Sequence, residues 1–127
     1  MGRFLIVEDD DTLRDGYGSV LQLEGHDVRT ADNGRKALLM MDGEWLPDAI
    51  FLDLSMPVMS GWEFREAQRS DPRLQNIPII VLSGAENDDL APLGAFGHLK
   101  KPFRLEDMLQ AIGNLISVPV AGTPAAE

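Results

Sequence analysis

The chain contains no cysteine, so disulfides and thiolate-ligated metal sites are excluded, and nothing in it suggests a secreted scaffold. Long hydrophobic runs are missing too. The N-terminal apolar stretch, Phe4 to Val7, is too brief for a signal-peptide core or a membrane span, which makes the cytoplasm the expected location. Basic residues are scarce: 11 Lys and Arg stand against 21 Asp and Glu, a net charge of −10. Such a surface does not neutralise a phosphate backbone, which argues against unaided nucleic-acid binding. What is present is ordinary globular material. Hydrophobic residues make up 44% of the 127 positions and charged residues 25%, enough for one domain with a single core and too short for two.

Five short apolar runs punctuate the chain, with helical patterns between them. Phe4–Val7, Ala49–Leu52 and Ile79–Leu82 are apolar throughout, as central strands covered on both faces must be. Asp27–Ala31 alternates and Phe96–Lys100 is mixed, which suits half-exposed edges. Leu13, Tyr17, Val20 and Leu21 recur at helical spacing, with Asp11 as a candidate cap and Gly25 as a stop. A second helix is expected from a cap at Asn33 through Met41, and a third between Gly61 and Arg69, halted by Asp71-Pro72. The clearest period is the last: Leu105, Met108, Leu109, Ile112, Leu115 and Ile116. Trp62, Phe64 and Met56 are read as packing residues rather than a cofactor box. Strands alternating with helices imply parallel pairing through crossovers. The expected fold is therefore α/β, a flavodoxin-like doubly wound five-stranded parallel sheet in the order 2-1-3-4-5, whose working crevice lies at the carboxyl ends of strands 1 and 3.

The residues at those strand ends are not ordinary loop residues. Strand 1 ends in Glu8 and Asp9, strand 3 in Asp53, strand 4 in Ser83, and strand 5 leads to Lys101. Neighbouring strands lie about 4.8 Å apart, so the three carboxylates should converge. Like charges crowded in a crevice raise at least one pKa unless a cation is present. An all-oxygen, incomplete donor set suits Mg²⁺. A carboxylate is also a competent nucleophile toward phosphorus, and a lysine and a hydroxyl are the partners that a phosphoryl group's oxygens need.

Four motifs in this order, Ile6-Val7-Glu8-Asp9-Asp10, Phe51 to Gly61 (FLDLSMPVMSG), Ile80-Val81-Leu82-Ser83-Gly84 and Lys101-Pro102-Phe103, make the chain resemble the bacterial response-regulator receiver family over residues 3–117. The resemblance implies Asp53 as phosphoacceptor, with Glu8 and Asp9 as the acidic pocket. Asp9 would ligate Mg²⁺ directly and Glu8 through water, with Asp53 and the Ser55 backbone carbonyl completing the metal set. Ser83 matches the switch hydroxyl, His98 the place of the coupled switch aromatic, and Lys101 the phosphoryl contact before a cis bond to Pro102. The implied partners are a histidine kinase or phosphotransfer protein and an unnamed downstream protein. The implied behaviour is that of a single-domain phosphorylation switch, a monomer or weak dimer, not an enzyme beyond assisting its own phosphoryl transfer and loss.

The chain also departs from that pattern. Between Gly84 and Ala95 the run Asn87-Asp88-Asp89 is followed by Pro92 and Gly94, which interrupt a helix. A shortened fourth helix, Asn87–Ala91 at most, is expected there. Gly84 stands where the family commonly has Ala, and Ser60 where it has an acid. The domain is expected to span 1–118, with 119–127 a flexible tail and no output domain following. Two rivals fit less well. A phosphatase of the haloacid-dehalogenase class wants a second acid where Ser55 stands, and flavin binding wants a phosphate-cradling loop where four acids follow strand 1. A pseudo-receiver that binds partners without phosphorylation is countered by the complete acid, Ser and Lys set, while the short segment from Gly84 to Ala95 keeps that reading open.

Overall fold

A computed structural model describes residues 2–41, 43–84 and 93–117. Strands β1 (Arg3–Val7), β2 (Asp27–Ala31), β3 (Ala49–Asp53), β4 (Ile79–Ser83) and β5 (Gly97–Lys100) form one parallel sheet in the order β2-β1-β3-β4-β5. Helices α1 (Asp11–Leu23), α2 (Gly34–Met40), α3 (Gly61–Arg69) and α4 (Leu105–Ser117) connect and cover it. This is the flavodoxin-like arrangement, with the apolar runs in the middle and the alternating ones at the edges. The expected short helix at Asn87–Ala91 and the tail at 119–127 lie outside the described residues.

Strand alternation builds two cores. Leu5, Val7, Ile50, Leu52, Ile79 and Val81 point to the side carrying Ala37 of α2 and Phe64 of α3. Their neighbours Phe4, Ile6, Ala49, Phe51, Ile80 and Leu82 point to the side carrying Leu21 of α1 and Met108 and Ile112 of α4. A strand's side chains alternate with period two, so one residue further along each strand the same rule assigns the polar ends. Glu8 continues the parity of Phe4 and Ile6, Asp53 that of Ala49 and Phe51, and Lys101 that of Leu99, all facing the α1 and α4 side. The ladder persists past the strand ends, with Glu8 N–H donating to the Ala31 carbonyl (3.0 Å) and Lys101 N–H to that of Ser83 (2.8 Å).

The helix ends explain themselves locally. Asp10, not Asp11, caps α1, accepting from the Leu13 amide at 3.0 Å. Asp11 falls inside the first turn and pairs with Arg14 instead. Two adjacent acids are equally good caps by type; the one whose backbone is still extended takes the role. Asn33 caps α2, and Gly25 follows α1 with φ of 91°. Ser60, the departure before Gly61, forms a capping box with Glu63 at the start of α3.

Candidate functional site

Glu8, Asp9, Asp53, Ser55, Ser83 and Lys101 line one cleft of about 440 Å³ at the carboxyl ends of β1, β3 and β4. The carboxylates of Glu8, Asp9 and Asp53 each bring an oxygen within 4.8 Å of the others. Glu8 and Asp53 are buried at 1% and 4% exposure, while Asp9 is exposed at the mouth. Lys101 holds the acids together: its Nζ lies 2.6 Å from Glu8 Oε1 and 3.5 Å from Asp53 Oδ1. The Ser55 amide donates to Asp53 Oδ1 at 3.5 Å. Glu8 is braced further, its carboxylate accepting from the Asp10 amide and its carbonyl from Arg14. The Lys101–Pro102 peptide is cis.

These surroundings set unusual protonation. Burial, then the hydrogen bond and charge of Glu8, push the Asp53 carboxyl up to about 7 against the partial relief that Lys101 gives. Burial works against the Lys101 ammonium, but its bond to Glu8 and the charges of Asp53 and Glu8 outweigh that and raise its pKa. Tyr17, which stacks on Phe103 with centroids 5.1 Å apart, is raised chiefly by burial.

The loop after Asp53 is tightly constrained. Gly61 N–H donates to the Leu54 carbonyl (3.0 Å), and a Cβ on Gly61 would lie 2.6 Å from the Asp53 carbonyl oxygen. No other residue fits there without movement. At Val58 the backbone is left-handed, φ 70°, inside a three-residue turn closed by Met59 N–H to the Pro57 carbonyl at 2.7 Å.

His98 is not part of this cleft. It is exposed on β5, on the opposite parity from Lys101, and lines a separate hollow with Phe103 and Asp107. Sequence reasoning also missed the Glu8–Lys101 pair, which joins residues 93 positions apart. Strand parity alone carries the signal that would have found it.

The response regulator receiver domain family model matches residues 4–113. The chain belongs to that family. Among relatives of this receiver domain, the DNA-binding dual master transcriptional regulator RpaA of a Synechocystis strain is 33% identical over 91% of this chain and 49% of its own length. The chain thus spans about half the length of the curated relatives it matches. The chemotaxis response regulator CheY4 of Vibrio cholerae is 33% identical, with a TM-score of 0.82 over 91% of this chain and 98% of that one. The receiver domain of the Pseudomonas aeruginosa sensor histidine kinase PA1611 shares the fold at a TM-score of 0.84 and 22% identity, over 92% of this chain and 98% of that one. That structure has a magnesium ion coordinated in its active site cleft. Among the described residues of this receiver domain, no helix is long and apolar enough to cross a membrane.

Proposed function

We propose that this receiver domain is a phosphorylation switch in which Asp53 takes a phosphoryl group from the phosphohistidine of a histidine kinase or phosphotransfer protein. The observation that carries the reading is the convergence of three carboxylates within 4.8 Å, with one ammonium bridging Glu8 and Asp53. An Asp53 oxygen attacks phosphorus; an O–P bond forms as the P–N bond breaks, and the imidazole takes up a proton as it leaves. The hard-oxygen donor set fits Mg²⁺, which Glu8, Asp9, Asp53 and the Ser55 carbonyl would hold. Magnesium bound there supplies positive charge for the phosphoryl oxygens. Lys101 transfers its contact from Glu8 to one phosphoryl oxygen, and the Ser83 hydroxyl donates to another.

Asp53 stays partly protonated at neutral pH because burial and Glu8 raise it to about 7. It becomes a full nucleophile once a cation compensates. Downstream, His98 on β5 is the position that follows Ser83. The readout is protein–protein contact by a cytoplasmic monomer or weak dimer, and the acidic chain, net charge −10, takes no direct part in nucleic-acid binding. Labelling with acetyl phosphate tests the assignment. Wild type takes up label only with Mg²⁺, Asp53→Asn takes up none, and neither turns over a generic phosphate ester. Label on Asp53→Asn sinks it.

A further inference from the structure

Away from the acidic cleft, three residues break local rules at one place. Leu39 is 69% exposed on α2, and Val58 is 72% exposed although it is β-branched and held at φ 70°. Such a conformation is unfavourable for a β-branched residue and, when retained, marks a site where something else is selected. Arg35 occupies the first turn of α2, where a cation is disfavoured. It has no acidic partner among the described residues, whereas its neighbour Lys36 reaches Asp32 at 3.1 Å. None of the three contributes to the two cores. All three line a single groove of about 610 Å³ between α2 and α3, together with Leu38, Met59 and Leu74. Arg73, which also lines it, donates to the Met41 carbonyl at the end of α2 (3.1 Å).

We propose that this groove docks an acidic amphipathic helix of a partner protein, an interaction surface separate from the phosphoryl switch. Two short walls and an apolar floor accept side chains at i and i+4 of a helix laid between them. The seven-residue α2 is about 10 Å long, so roughly two turns of the incoming helix engage and two apolar anchors suffice. Charge decides the rest. Arg73 is accompanied by Asp71 at 3.5 Å, which leaves Arg35 as the groove cation with no acidic partner among the described residues and selects a carboxylate over a lysine. A second copy of the chain is the poorer occupant. Its exposed large apolar residues stand singly among the described helices: Leu23 on α1, Leu39 on α2, Trp62 on α3 and Leu105 on α4.

The test titrates two synthetic helical peptides into the isotope-labelled full chain without phosphodonor. Both carry leucine at i and i+4; one has flanking Glu and the other flanking Lys. The Glu peptide is expected to shift the amides of Leu38, Leu39, Val58 and Met59 and to bind about tenfold more tightly than the Lys peptide. Leu39→Asp abolishes binding of both. Arg35→Glu reverses the preference, a gain that a misfolded variant does not produce. Absence of shifts in the groove, shifts centred elsewhere, or a preference unmoved by Arg35→Glu overturns the proposal. So does a sedimenting dimer that Leu39→Asp dissolves, because the face then belongs to a second copy. Mg²⁺-dependent labelling of Asp53 in the same variants reports separately on the switch.

Discussion

At Gly61 a single hydrogen atom separates a working loop from a clash. Its Cβ position is 2.6 Å from the Asp53 carbonyl oxygen, 2.7 Å from Leu54 Cα and 2.8 Å from the Leu54 side chain. Backbone atoms set the two shortest distances, so α3 or the end of β3 has to move if a methyl is added. Gly61→Ala is expected to destabilise by about 1–3 kcal/mol, the usual range for overpacking, as measured by urea unfolding. It should also weaken Mg²⁺ binding, because the displaced segment carries Asp53. An alanine variant with wild-type stability and metal affinity contradicts this reading. The glycine was visible in the sequence as part of a motif, but its reason was not, since the contact is to backbone atoms that only the fold brings there.

Among the elements, α3 is tied along its length by side chains. Its start is fixed by the Ser60 and Glu63 capping box, and its middle reaches across to the entrance of β5. Arg65 donates to the carbonyls of Leu93 (2.7 Å) and Gly94 (3.2 Å) and to Gln68 Oε1 (2.7 Å). Buried Gln68 in turn donates to the carbonyls of Leu74 and Ile77. Arg65→Ala leaves these acceptors without their donor, at a cost of about 1–3 kcal/mol. Hydrogen exchange should quicken at Phe96, whose amide bonds Ile79, and stay unchanged at Gly61, whose amide bonds Leu54. Equal exchange at both sites counts against the tie. Strand and helix spans were legible because period and caps are local: β2 is Asp27–Ala31 and α3 is Gly61–Arg69, as the patterns predict. The Arg65 tie was not, because its acceptors lie 28 and 29 positions away and are carbonyls that every residue carries.

For the molecule as a whole, the cleft sets acid–base behaviour against stability. Asp53 holds its proton to about 7 in the fold and ionises near 3.9 when unfolded. Between those values the folded state binds more protons than the unfolded one, so this group's contribution to stability falls as pH rises from about 4 to about 7 and is level above. Compared with Asp53→Asn, metal-free wild type should therefore lose melting temperature across that window. Mg²⁺, which favours the ionised form, should restore more of it above the window than below. Parallel profiles for the two proteins contradict the assignment. The gathering of Glu8, Asp9 and Asp53 was readable from two strand ends; the Lys101 bridge that stabilises the gathering was not. Finally, the segment from Asp53 to Gly61 borders two places at once, with Asp53 and Ser55 in the acidic cleft and Val58 and Met59 in the α2–α3 groove. Binding free energies at two sites obey reciprocity. By whatever factor occupation of the groove alters affinity at the cleft, occupation of the cleft must alter affinity at the groove by the same factor, so a partner's grip and the load on Asp53 can each be read out by measuring the other.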